Sequence, residues 1–209
     1  MKVLTLIAQK GGTGKTTLAV HLAVIAMQAG KSVVLVDMDP QHSAADWWRE
    51  RADMFPELVE CTDAELPAVL KAAKADKVDL VVIDTAPHAE AASATAAKVA
   101  DLALIPTRPA ILDLRAIGAT VDIVRRVKTR AAIVLNSCPP PRGVGEAGIV
   151  HEARLGLKEY GLPVCPVAVT QRAALSHALI DGRAVTEFEP SGKAARELSA
   201  LWAWIEGEM

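Results

Sequence analysis

The chain has 209 residues, 51% of them hydrophobic and 23% charged, with 23 Lys and Arg against 25 Asp and Glu for a net charge of −2. These values exclude a disordered chain, and the balanced charge leaves any nucleic-acid binding to a local patch. Cys61, Cys138 and Cys165 are far apart with no C-x-x-C pair, and no apolar run approaches the ~18 residues of a membrane span, so a reduced, cytoplasmic, single-domain protein over residues 1–209 is expected.

The apolar run Val3–Ala8 predicts a first strand. Lys10-Gly11-Gly12-Thr13-Gly14-Lys15-Thr16-Thr17 follows it directly and opens a helix predicted over Thr16–Ala29, with Gly30 as its stop. A second strand, Ser32–Val36, runs into Asp37-Met38-Asp39-Pro40-Gln41, and a helix over Ser43–Arg51 carries Trp47 and Trp48. Next come a helix over Ala64–Ala75, a strand over Val78–Ile83 that delivers Asp84, and a helix over Glu90–Lys98. The strand Leu102–Ile105 leads through Pro106-Thr107-Arg108-Pro109 into a helix over Leu114–Val127. The strand Ala132–Leu135 ends at Asn136. A helix over Glu146–Tyr160, stopped by Gly161, precedes a last strand, Val164–Val169, which runs into Thr170-Gln171-Arg172. A final helix, Ser191–Ile205, carries Leu198, Leu201, Trp202 and Ile205 at i, i+3, i+4 and i+7, the stripe of a helix packed on a core.

Continuous Val- and Ile-rich runs, rather than alternating ones, suit strands buried on both faces, and their alternation with helices predicts an α/β fold. The expected architecture is a single doubly wound, mostly parallel sheet with helices on both faces.

The glycine-rich segment between strand and helix carries the strongest chemistry. Its backbone N–H groups and the helix N-terminus form a nest for phosphate oxygens, Lys15 reaches the outer phosphates, and the Thr16 hydroxyl can bind Mg²⁺. Gly11, Gly12, Thr13, Gly14, Lys15, Thr16 and Thr17 are thus the nucleotide-binding residues. A standard phosphate loop begins with glycine where this chain has Gln9, and it lacks the second lysine, Lys10. Alternate residues of an extended segment share a face, so Asp37 and Asp39 both turn to the phosphates, and Val81-Val82-Ile83-Asp84 delivers a carboxylate to the metal.

Together these blocks resemble the deviant Walker A ATPases of the ParA/MinD family, within the P-loop NTPase fold. The likeness runs from Met1 to about Arg183 and is nearest to the small ParA proteins of the ParF type, which have no DNA-binding domain ahead of the loop. The resemblance implies ATP and Mg²⁺ as cofactors and a nucleotide-sandwich homodimer formed in ATP. It assigns Lys10 to the partner's phosphates, Lys15 to those of its own chain, Asp39 to the attacking water, and Thr16, Asp37 and Asp84 to the metal and its shell. It places Asn136 near adenine, a position that also reads as a plain strand end. Pro106–Pro109 with Leu112-Asp113 resembles a segment implicated in contacts between dimers, and reads equally as a helix start punctuated by proline.

Function then divides three ways. The first reading is a partition ATPase: ATP closes the dimer, the dimer binds nonspecific double-stranded DNA of the nucleoid, and a ParB-like partner stimulates hydrolysis and release. Its DNA-contacting candidates are Arg125, Arg126, Lys128 and Arg130, with Arg172 and Arg183. The alternative for the cluster is a set of cations complementing a helix C-terminus. The second reading is a MinD-like membrane-surface or protein-cargo-positioning ATPase, although the acidic tail Glu206-Gly-Glu208 opposes an anionic lipid surface, so no membrane is expected. The third is an ATP-dependent metabolic or redox enzyme on the same fold; the cysteine pattern gives no support for a cluster held between subunits.

Overall fold

Residues 1–141 and 145–209 are described by the computed structural model. The runs predicted as strands β1 (Lys2–Leu6), β2 (Val33–Met38), β4 (Leu80–Thr85), β5 (Leu102–Thr107) and β6 (Ala131–Leu135) all form, joined by β3 (Glu57–Glu60). The sheet order is β3-β2-β4-β1-β5-β6. Every pairing is parallel.

Side chains of a strand alternate between faces, and here the alternation sorts the core in two. Leu4, Leu6, Leu35, Leu80, Val82, Leu102, Leu104 and Val134 pack against α1 (Lys15–Gln28), α2 (Ser43–Arg49) and α9 (Lys193–Glu208). Ile105, Ile133 and Leu135 meet α5 (Ile111–Arg126) and α6 (Gly148–Leu157) on the other face. On that same face Val3, Val34, Val36, Val81 and Ile83 meet α3 (Leu66–Ala75) and α4 (Glu90–Val99). Leu4, Leu6, Leu80 and Ile83 are at most 1% exposed. Burying each such side chain is worth roughly 1.5–3 kcal/mol, so these two layers dominate the stability of the sheet. The doubly wound expectation holds.

Two local readings need correction. No strand is predicted over Glu57–Glu60, yet it pairs with β2 as an edge strand. Conversely, Val164–Val169 forms no continuous strand. An isolated bridge joins Val164 to Ile133 of β6, and a second, just beyond both segments, joins Thr170 to Cys138. Cys165 N donates to Ile133 O and Val169 N to Leu135 O, so four residues on one side span two on the other. Pro166 lies in that excess and has no N–H to offer a ladder.

The helices α7 (Ala173–Leu179) and α8 (Val185–Phe188) are tied to the phosphate-loop helix by His21. Its Nε2 lies 3.3 Å from Leu175 O, and Val185 N donates to Nδ1 at 3.2 Å. Burial pushes the His21 pKa down to about 4, so the ring is a neutral strut at ordinary pH. Arg51, just after α2, ties the same region to that helix: its Nη2 meets Glu187 at 2.6 Å while Nη1 donates to Gly182 O at 2.8 Å.

Candidate functional site

A parallel sheet sends all strand C-termini to one edge, and the crevice there is where such folds bind ligands. That edge collects the residues after β1 (the glycine loop), after β2 (Asp39), at the end of β4 (Asp84), after β5 (Arg108) and after β6 (Asn136). The loop needs its glycines: Gly12 has φ +69° and Gly14 has φ +92°, a region that side chains with a Cβ resist. A Cβ on Gly14 would also stand 2.2 Å from Asn136 Nδ2.

Asn136 occupies that space for a reason. It is 4% exposed, and its Nδ2 donates to Thr13 O at 2.8 Å. One of its two amide N–H groups therefore braces the loop.

Lys15 opens α1 and is 6% exposed, with Nζ donating to Ala8 O at 3.3 Å. Burial lowers its pKa, against the fields of Asp84 and Asp39, which favour the charged form. Asp84 is fully buried and neither of its oxygens has a hydrogen-bond partner among the described residues. Burial pushes its carboxyl up to about 7 and Asp37 and Asp39 push it the same way, while Thr16 and Lys15 draw it down. The Thr16 hydroxyl is thus near the carboxylate without completing a hydrogen bond to it. An orphaned, buried pair of hard oxygens beside a threonine hydroxyl fits a divalent cation of the Mg²⁺ type, which would neutralise the cluster. A cleft of about 690 Å³ opens alongside, lined by Thr16, Thr17, Val20, Ser43, Trp47 and Leu179 among others.

Asp37 and Asp84 sit side by side in the β2–β4 register. Both carboxylate oxygens of Asp37 already accept backbone hydrogen bonds. Oδ1 accepts from Asp39 N at 2.9 Å, and Oδ2 accepts from Ala44 N at 3.1 Å and Ala45 N at 3.0 Å. Its work is to fix the loop that carries Asp39 and to anchor the start of α2, where a carboxylate also complements the helix dipole. Burial nonetheless raises its pKa. Asp39 is 9% exposed and is held by Gln41 N, which donates to Oδ1 at 2.9 Å.

Two residues at the rim escaped the sequence reading as parts of the site. Asp113, in the first turn of α5, holds Lys10 Nζ at 3.0 Å. Arg108 donates from Nη2 to Gly12 O. The only available signal for either was its place in a proline-punctuated loop after a strand.

Four of the predicted basic residues stay together, while Arg172 and Arg183 lie on later segments of the chain. Arg125, Arg126, Lys128 and Arg130 lie where α5 ends and β6 begins, the edge of the sheet opposite the glycine loop. Arg126 pairs with Glu90 at 2.7 Å, Arg130 with Glu208 at 2.8 Å, and Arg125 donates to Tyr160 O at 2.6 Å. Arg172 pairs with Glu197 at 2.7 Å and Arg183 with Asp181 at 2.6 Å. Lys128 sits in the turn after α5 with φ +57°. Carboxylates beside four of these six cations thus offset part of the positive field that the sequence suggests. Burial disfavours the reactive thiolate at all three cysteines, pushing Cys138 up to about 12 and Cys61 and Cys165 to about 11. No helix among the described residues is long and apolar enough to cross a membrane.

Residues 4–185 match the CobQ/CobB/MinD/ParA nucleotide binding domain family. Over 211 aligned residues the chain is 35% identical to the maintenance of carboxysome distribution protein A of Gloeobacter kilaueensis, covering 100% of this chain and 94% of that protein. It is 29% identical to the ParA protein of Rhizobium radiobacter, covering 84% of this chain and 81% of that one. In structure it superposes on apo McdA from Cyanothece with a TM-score of 0.82 at 18% identity, over 98% and 99% of the two chains.

Proposed function

Since the chain belongs to the CobQ/CobB/MinD/ParA family of nucleotide-binding domains and is an ATPase of the ParA/MinD kind, we propose that it is a ParA-type positioning ATPase, working as an ATP-dependent homodimer on nonspecific DNA. The observation that carries the reading is the single edge on which the glycine loop, Asp39 and the unpartnered Asp84 converge. Thr16 and Asp84 would hold Mg²⁺, which supplies charge neutralisation between the outer phosphates when bound. Lys15 and the loop amides bind and orient the triphosphate. Asp39, carried on a loop braced by Asp37, orients the attacking water and accepts hydrogen bonding from it. Lys10 acts on the nucleotide of the neighbouring subunit, and hydrolysis, stimulated by a ParB-like or other adaptor, opens the dimer and releases DNA.

Identity along the whole chain to a protein named for carboxysome distribution favours a large protein assembly as cargo. Likeness to ParA supports a plasmid or chromosome as the other cargo. Both use one ATP cycle, in the cytoplasm and on the nucleoid.

The test is binding of Asp39→Ala protein to nonspecific duplex DNA with ATP, ADP or no nucleotide across a salt series. Binding confined to ATP and falling steeply with salt is expected, because phosphate contacts release counterions. Absence of DNA binding in an ATP-dependent dimer would overturn the DNA step and favour a surface or purely protein-directed ATPase.

A further inference from the structure

We propose that Arg108 is a phosphate-binding residue of this site, taking the terminal phosphate of ATP bound to its own chain; the inference rests on the nucleotide-site reading above. Its placement follows from topology. β5 lies beside β1, with Leu6 paired to Leu104 and Ile7 N donating to Leu104 O, so the residues that leave β5 run alongside the residues that leave β1. Arg108 is the first residue after β5, and Pro109 follows it.

The guanidinium rests on the glycine loop itself, with Nη2 donating to Gly12 O and standing 3.0 Å from where a Gly12 Cβ would be. Gly12 lies toward the strand side of the loop, away from Lys15 and the start of α1, where the inner phosphates meet the helix amides. The charge around it decides what it can do. Lys10 on the same rim is held by Asp113, and Lys15 lies in the fields of Asp84 and Asp39. Arg108 forms no ion pair among the described residues, and its one protein acceptor is a neutral carbonyl. A guanidinium has five donors in a planar fork that matches phosphate oxygens in pairs, and a carbonyl takes only one of them. A terminal phosphate at the loop rim offers both the charge and the geometry that Gly12 O lacks.

The experiment titrates fluorescent N-methylanthraniloyl ATP and ADP with Mg²⁺ into wild-type, Arg108→Ala and Arg108→Lys protein, at concentrations where the protein is monomeric. Expected is a loss of about tenfold or more in ATP affinity for Arg108→Ala, the usual effect of losing a charged hydrogen bond, with ADP affinity within about twofold of wild type. Lysine should restore part of the loss, because it keeps the charge but not the fork. Equal weakening of both nucleotides would make Arg108 a strut of the loop and overturn the proposal, as would unchanged ATP affinity with a defect only in the dimer. Wild-type protein that binds neither nucleotide would overturn the site reading itself, and the two failures are therefore distinct.

Discussion

Lys10 Nζ lies 3.0 Å from Asp113 Oδ2, joining the start of the glycine loop to the first turn of α5. Asp113 is 7% exposed and its Oδ1 has no partner among the described residues, so Lys10 is its close counter-charge. Removing only the lysine strands a buried carboxylate. Lys10→Ala should lower stability by about 1–2 kcal/mol, less than the ~3–5 kcal/mol of a fully buried pair because the lysine is partly solvated. Adding Asp113→Asn should recover most of that loss in urea denaturation. A double variant no more stable than Lys10→Ala would show that the pair carries no such energy. The same contact opposes any role of Lys10 across a dimer, so Asp113→Asn alone should raise the ATP-dependent dimer fraction in light scattering.

Asp84 predicts an unusual pH dependence. Its carboxyl ordinarily titrates near 3.8, and burial pushes it up to about 7 in the fold. Between those values the folded state keeps a proton that the unfolded state has released. Stability from this group therefore falls as pH rises across the window and levels off above it, by on the order of a few kcal/mol. Thermal melts of nucleotide-free protein should show this decline from about pH 5 to 7.5, and Asp84→Asn should flatten it while abolishing Mg²⁺-dependent nucleotide binding. Binding of a divalent cation should expel the proton near pH 7, read by calorimetry in buffers of different ionisation enthalpy. Zero proton release would contradict the raised pKa.

The sequence exposed the parts of this molecule that repeat a local rule. Uninterrupted apolar runs announced β1, β2, β4, β5 and β6, and the glycine loop announced its own strand–loop–helix context. Edge strand β3 escaped because Glu57 and Glu60 flank only two apolar residues, which is all that a half-covered edge requires. Val164–Val169 misled for the opposite reason: its composition fits a strand, but Pro166 breaks the ladder. Asp113, Arg108 and the tie from Arg51 to Glu187 depend on contacts between distant segments, for which a single sequence has no periodicity. Asp37 shows a finer limit. Its side of the sheet was legible, but not the backbone amides of α2 that use its oxygens.

Lys15 and Asp39 separate binding from turnover. Lys15 lies in the loop with its ammonium buried, so Lys15→Ala should weaken ATP binding about 10- to 100-fold, as expected when a charged hydrogen bond to phosphate is lost. Asp39 is held at the rim by Gln41 N rather than by the loop. Asp39→Ala should retain ATP binding and dimer formation in size-exclusion chromatography while hydrolysis drops by about 10²- to 10⁴-fold, the range for a residue that handles the proton of the nucleophile. Wild-type turnover in Asp39→Ala would remove the aspartate from the chemistry.

Asn136 distinguishes bracing the loop from reading the base. Its Nδ2 holds Thr13 O at 2.8 Å, and this brace is indifferent to the base that the nucleotide carries. Asn136→Ala should therefore weaken ATP and GTP alike, by roughly 5-fold for a hydrogen bond worth about 1 kcal/mol, whereas a base-reading asparagine would lose ATP alone. Competition titrations with the two nucleotides decide between them. Gly14→Ala gives the complementary case, since the new Cβ would stand 2.2 Å from Asn136 Nδ2 at a residue with φ +92°. That variant should lose nucleotide binding. Combining it with Asn136→Ala removes the collision but leaves the left-handed backbone, so affinity should return only in part. Full recovery would mean that the collision, rather than the backbone, was the whole cost.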